Sequence, residues 1–209
     1  MKETKNVYVV GNDISYISFI KNAKVVSSIS DADIVLFTGG EDVDPSLYGC
    51  EKHPSTYSNL NRDLYEKRIF EQVADNQLVI GVCRGSQFCC IMNGGKLIQD
   101  CSNHAIGYTH MIYECETDKI YDITSTHHQM QYPFELPHAE ILMASNSRLS
   151  RYYCGDGIDS NLIVCEPEIV LYKKENCPKC LAIQGHPEMM SQEAPIVVRI
   201  NEIIDELCK

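Results

Sequence analysis

The sequence predicts an α/β fold: a mostly parallel central sheet with helices on both faces and a small antiparallel extension. Three observations predict it. Short apolar runs alternate with helical stretches through the first half of the chain. Two of those runs end on glycine-rich turns. The second half carries apolar runs with few helices between them. Strands separated by helices imply βαβ units and parallel pairing, whereas strands that follow one another directly imply antiparallel pairing.

Residues 7–10 (VYVV) read as a short buried strand. Asp13 caps a helix over residues 14–21, with Ile14, Ile17, Phe19 and Ile20 as its apolar contacts. Residues 23–26 form a second short strand, and residues 33–38 (DIVLFT) a stronger one that ends at Gly39-Gly40. A loop with turn chemistry follows. Residues 61–75 read as a helix with Leu64, Tyr65, Ile69, Phe70 and Val73 on one broad face. Residues 78–82 are the next strand and 84–93 the next helix, which Gly94-Gly95 ends. In the second half, residues 111–115, 139–143, 161–165, 169–173 and 180–184 read as short strands. Residues 195–208 form a closing helix. Pro195 suits its first turn, and Ile196, Ile200, Ile203, Ile204 and Leu207 make a stripe that packs on the sheet.

A chain of 209 residues with 44% hydrophobic residues is expected to fold as one domain, 1–209. No apolar run approaches the roughly 18 residues of a membrane span, and the first residues have no signal-peptide pattern. The formal net charge of −11, with no Lys/Arg cluster, excludes a nucleic-acid binder. Eleven cysteines without framework spacing fit a reducing, cytoplasmic compartment, most of them as small core residues.

One cysteine stands apart. Gly81-Val82-Cys83-Arg84-Gly85 follows an apolar strand and opens a helix. A nucleophile at the apex of such a turn sits in a strained backbone conformation. The residues two positions to either side come so close that they must be small. The turn lifts sulfur above the sheet at the positive end of the next helix, which favours thiolate. The first helical N–H groups have no internal partner and can receive an oxyanion. A structural cysteine in a glycine-rich turn is the plain alternative. Cys89 and Cys90, mid-helix, read as core.

A thiolate needs a base, and the base an orienting group. The stretch AIQGHPE, residues 182–188, supplies both. Pro187 keeps His186 out of the helical region. A rigid turn then lets Glu188 reach one ring nitrogen while the other faces Cys83. Taken alone, a surface His-Pro-Glu turn explains these residues better.

FTGGEDVDP (37–45), GVCRGSQ (81–87) and IQGHPE (183–188), in that order, resemble the class I glutamine amidotransferases. The Gly-Gly-x-Asp-Val-x-Pro form of the first is similar to the gamma-glutamyl hydrolase branch, including gamma-glutamyl-gamma-aminobutyrate hydrolases. NRDLYE (61–66) and STHHQ (125–129) resemble the same branch, so the resemblance runs from about residue 33 to 188. It implies Cys83 as nucleophile, His186 as base and then acid, and Glu188 as orienting carboxylate. It implies an oxyanion hole from the backbone N–H groups of Gly40 and Arg84. It also implies that Gln87 holds the glutamyl part of the substrate, with Ser125 and His127 near its amino-acid end. The implied reaction is hydrolysis of a gamma-glutamyl side-chain amide through a thioester, releasing glutamate, with neither metal nor organic cofactor. The chain departs from the branch at Gly185, where an aromatic is common and whose absence is expected to widen the pocket. It departs again at Thr124, where Asn is common, and in a short region before Asp33.

Other signals carry less. CPKC, residues 177–180, lies between two predicted strands and reads as a hairpin turn. No spacing rule makes metal ligands of His127 and His128 with those cysteines. The carboxylates of EDVDP, residues 41–45, read as caps and turn partners. Arg62 and Asp63 read as a helix-start pair at the edge of the site. His104 and His110 flank a loop and either line the pocket or face water. Two other functions compete with a free-standing hydrolase of a small-molecule gamma-glutamyl substrate. One is a glutaminase subunit that feeds ammonia to a separate synthetase partner. The other is a non-catalytic binding protein on the same scaffold.

Overall fold

The computed structural model describes residues 4–11 and 13–209. The strands and α-helices among them run β1 Lys5–Val10, β2 Ala23–Val25, β3 Ile34–Phe37, α1 Leu60–Phe70, β4 Leu78–Val82, α2 Arg84–Met92, β5 Lys96–Ile98, β6 Asp100–Cys101, β7 Ala105–Glu114, β8 Ile120–Thr126, β9 Met130–Tyr132, β10 Ala139–Ser145, β11 Tyr153–Cys154, β12 Pro167–Tyr172, β13 Lys179–Ile183 and α3 Pro195–Leu207. Nine strands form one sheet in the order β2-β1-β3-β4-β13-β12-β10-β7-β8. The first five pair in parallel, and the last four continue antiparallel from β13. The antiparallel extension is therefore nearly half the sheet. No helix among the described residues is long and apolar enough to cross a membrane.

Alternation along the central strands builds a core on each face, because successive strand side chains point to opposite sides. Ile34, Leu36, Ile80, Leu181 and Ile183 pack with the α3 stripe of Ile196, Ile200, Ile203 and Ile204. Val35, Phe37, Val79, Cys180 and Ala182 pack on the other face with Phe88, Cys89 and Cys90 of α2. The mid-helix cysteines are core, as their positions predict.

Several segments of the structure differ from the sequence expectations. The predicted helix at 14–21 is a 3-10 helix, Ile14–Phe19, capped by the Asp13 carboxylate through the Ser15 N–H. Helix α1 stops at Phe70 rather than residue 75, because Gln77 pins the turn after it, accepting from the Ala74 N–H and donating to the Ile29 and Ala32 carbonyls. Residues 161–165 form no strand: Ile163 is buried in a small satellite cluster, while Leu162 and Val164 are exposed. The supposed loop between His104 and His110 is the start of β7, paired to β8, a strand that polar residues hide in the sequence. CPKC spans the β12–β13 hairpin as expected, with Cys180 already in β13.

Candidate active site

Three neighbouring strands deliver the candidate residues to one rim. In the order β3-β4-β13 they end at Thr38-Gly39-Gly40, at Cys83 and at the turn holding His186. Ligands of parallel α/β sheets bind outside the carboxyl ends of strands. A larger cavity of about 690 Å³ opens at the opposite ends, where Lys5, Leu78 and Lys179 begin β1, β4 and β13. It is remote from Cys83 and holds none of the candidate residues.

Cys83 has φ +53° and ψ −112° and caps α2. A non-glycine residue in such a conformation is strained and persists only where its surroundings fix it. The surroundings here are backbone. A Cβ on Gly81 would lie 2.3 Å from the Gly85 carbonyl oxygen, and one on Gly85 would lie 2.2 Å from the Phe37 oxygen. Both glycines are required by close approach, as the spacing predicts. The α2 bonds begin with the Ser86 and Gln87 N–H groups, both donating to the Cys83 carbonyl. The Arg84 N–H therefore lies ahead of the helical ladder, beside the sulfur's residue.

His186 sits between Cys83 and Glu188. Its Nδ1 is 2.7 Å from Glu188 Oε1, which leaves Nε2 free to face Cys83, whose interaction with the ring raises the imidazole pKa. The ring is buried, 6% exposed. Burial alone would push its pKa down, but the hydrogen bonds and negative charge of Cys83 and Glu188 raise it to about 10. Thr124 fixes the turn from below: its Oγ1 accepts from the His186 N–H at 2.7 Å and donates to the His186 carbonyl at 3.2 Å. Tyr16, which the sequence did not single out, closes the other side, its ring 6.2 Å from that of His186. Burial, with the charges of Glu188 and Cys83, pushes the tyrosine up to about 12, so it stays a neutral donor. At Gly39 a Cβ would stand 2.6 Å from the Tyr16 hydroxyl, 3.3 Å from His186 Cε1 and 3.5 Å from Cys83 Cβ, so these groups converge there.

Gly40 has φ +136°, and a Cβ there would lie 2.2 Å from Arg62 Nη1. Arg62 holds this loop by donating to the Gly39 carbonyl at 2.8 Å and the Thr38 carbonyl at 3.3 Å, while its Nε donates to Glu66 at 2.8 Å. Arg62 and Asp63 do not pair with each other. Asp63 and Glu66 turn inward, each 1% exposed, and grip the buried guanidinium of Arg84. Asp63 also accepts from the Asp44 N–H at 2.8 Å. The apolar Leu64 and Tyr65 of the expected core face are instead 44% and 48% exposed. The α1 motif thus ties the Gly39-Gly40 loop to the Cys83 turn through buried charge. The Asp44 carboxylate caps the turn after it, accepting from the Ser46 N–H, whereas Asp42 reaches across the loop to accept from the Tyr57 N–H and lies 3.2 Å from His128 Nε2.

A cleft of about 240 Å³ opens at this rim, and Cys83, Arg84, Gly40, Gln87, His127 and Gln129 line it together with Glu41 and Asp42. Gln87 Nε2 donates to the Gln129 carbonyl at 3.0 Å. Burial pushes the His127 imidazole down to about 4. Ser125 does not line the cleft: fully buried, it donates its hydroxyl to the His104 carbonyl at 2.6 Å. Gly185 widens nothing, because a Cβ there would stand 2.5 Å from Ile123 Cγ1 and 2.6 Å from the Thr124 oxygen of β8.

The fold is that of the class I glutamine amidotransferases. A Thermoplasma acidophilum protein proposed to be a GMP synthase subunit superposes with a TM-score of 0.61 over 100% of this chain and 96% of its own, at 13% identity. A glutamine amidotransferase from Thermotoga maritima gives 0.56 over 99% and 95%, at 10% identity. The chain belongs to the Peptidase C26 family, whose model matches residues 9–159, a stretch that includes Cys83 and stops short of His186. Among curated proteins it is 35% identical to NtpR of Enterococcus hirae over 88 residues, 41% of this chain and 37% of that protein. It is 29% identical to the glutamine amidotransferase-like YvdE of Lactococcus lactis over 104 residues, 49% of this chain and 44% of that protein. The chain thus spans less than half the length of these curated relatives.

Proposed function

We propose that the protein is a cysteine-dependent hydrolase of gamma-glutamyl amides, of the gamma-glutamyl hydrolase branch. The observation that carries this reading is the His186 imidazole, hydrogen-bonded to Glu188, converging at Gly39 with a cysteine held at φ +53° on a strand-to-helix turn. With His186 raised to about 10, the resting pair at neutral pH is imidazolium beside Cys83. The sulfur attacks the side-chain amide carbon, and the oxygen becomes an oxyanion received by the Gly40 and Arg84 N–H groups. Each such donor contributes roughly 3 kcal/mol. The imidazolium gives its proton to the departing amine, leaving a gamma-glutamyl thioester. His186, now neutral, takes a proton from water, which attacks the thioester and releases glutamate and Cys83. Glu188 holds the ring's tautomer and stabilises its charge throughout.

The cleft supports a small acyl group. At about 240 Å³ it falls below the roughly 300 Å³ at which drug-sized cavities begin. It therefore takes one amino-acid moiety and leaves the leaving group outside. Glu41 and Asp42 beside the cleft suit a substrate ammonium, and Gln87 in its wall suits the glutamyl chain.

Glutamate release from glutamine and a series of gamma-glutamyl amines tests this, with the purified chain alone. The expected result is turnover without a second protein, larger for some amine than for glutamine, and absent in Cys83→Ser. A chain inert alone but active once an ammonia-consuming synthetase is added would replace this reading with that of a glutaminase subunit.

A further inference from the structure

Behind the cleft wall lies a second cluster that the proposed hydrolysis does not use. Glu168 of β12 is fully buried, and among the described residues no group other than the histidines facing it interacts with its carboxylate. Three imidazoles face it. Glu168 Oε1 is 3.1 Å from His110 Nε2, 3.6 Å from His104 Nδ1 and 3.9 Å from His127 Nε2. A buried carboxylate held only by imidazoles is costly, and so is a buried ring nitrogen without a partner. Here four such groups point at one another.

We propose that His104, His110, His127 and Glu168 bind a divalent transition ion of the zinc class. Zinc bonds of about 2.0–2.1 Å in a tetrahedron place neighbouring ligand atoms about 3.4 Å apart, and the 3.1, 3.6 and 3.9 Å distances from Glu168 Oε1 to the three ring nitrogens bracket that value. His104, His110 and Glu168 each offer one ligand atom within 4.8 Å of the others. The groups around them orient the set. His127 Nδ1 is 2.9 Å from the Gln129 carbonyl, so that nitrogen carries the proton and Nε2 presents a lone pair. His104 Nε2 lies 3.3 Å from Glu166 Oε2. Glu166 is itself fixed by the Leu149 and Ser150 N–H groups and the Tyr153 hydroxyl. Ring nitrogens backed by a carbonyl or a carboxylate are the usual support of metal-bound histidine. Three imidazoles and one carboxylate suit a borderline ion rather than calcium or magnesium. The ion would tie β7, the end of β8 and β12 together and hold His127 and Gln129 in the cleft wall. Sequence spacing could not reveal the site, because its ligands come from positions 104, 110, 127 and 168.

Cobalt(II) titration of the chelator-treated full chain tests the proposal without substrate, so its outcome is independent of whether Cys83 is a nucleophile. The expected result is uptake of one first equivalent with the visible d–d bands of a four-coordinate nitrogen and oxygen site, no thiolate charge-transfer band, and displacement by zinc. Glu168→Gln and His110→Ala should each weaken binding by more than about 100-fold, while Cys83→Ser and Cys177→Ser leave it unchanged. A folded wild-type chain that takes up no stoichiometric cobalt would overturn the proposal. So would a first equivalent with a thiolate band, or one that survives Glu168→Gln. Should that variant not fold, the wild-type spectrum decides by itself.

Discussion

His186 is a titratable ring between Glu188 and Cys83, and its charge state governs the proposed chemistry. Its folded-state value of about 10 lies above the ordinary 6.5. Stabilisation from the charged ring is therefore fully present below about pH 6.5 and is lost as pH rises through about 10. Nuclear magnetic resonance of the imidazole should show that inflection near 10. Cys83→Ala should move it down, because the cysteine's hydrogen bond and negative charge both raise it. An inflection near 6.5 in the wild type would contradict the pairing. In the same reading Cys83→Ser and His186→Ala each remove at least about 10⁴-fold of kcat with the fold intact. Glu188→Gln, which leaves the base and the oxyanion donors in place, costs less. The Cys83 turn was legible because its determinants are local: glycines two residues away that touch backbone. Tyr16 was not, because nothing near it in sequence marks its approach to a histidine 170 residues on.

The elements that hold the site are joined by buried charge more than by apolar packing. Helix α1 spends Asp63 and Glu66 on the Arg84 guanidinium, which is 2% exposed. Removing one partner leaves a buried charge poorly compensated, so Glu66→Ala should cost about 3–5 kcal/mol in denaturant unfolding. It should also lower turnover through the loosened Arg62 clamp on Gly39. Unchanged stability would mean that this network is incidental. The helix pattern read from sequence placed Leu64 and Tyr65 inside, since an apolar stripe is the usual core face. A buried guanidinium at the nucleophile turn reverses that preference, and Arg84 carries no such mark in the sequence. Gly185 shows the same limit. Its missing side chain read as extra room, but β8, itself unrecognised among polar residues, fills the space. Gly185→Ala should therefore destabilise by about 1–3 kcal/mol and should not broaden substrate choice.

Across the whole molecule, the parallel half of the sheet carries Cys83 and His186 at its strand ends, and residues that follow β8 in the antiparallel half wall the cleft. The parallel half was legible because βαβ alternation and strand-end glycines are strong patterns. The antiparallel half was partly hidden: β8 alternates polar and apolar residues, and its pairing with β7 is set by tertiary contact. The closing helix was legible from its stripe, and Ile200→Ala on that stripe should cost about 2–5 kcal/mol while leaving substrate affinity unchanged. The account stands on the assignment of the Cys83 sulfur, alone among eleven cysteines, as the nucleophile. The most direct measurement is peptide mapping of the chain after treatment with an electrophilic glutamine analogue. Modification of Cys83 and no other cysteine, abolished in His186→Ala, is the predicted result. Failure to modify Cys83, or labelling spread over exposed cysteines such as Cys115 as a generic alkylator would give, would contradict it.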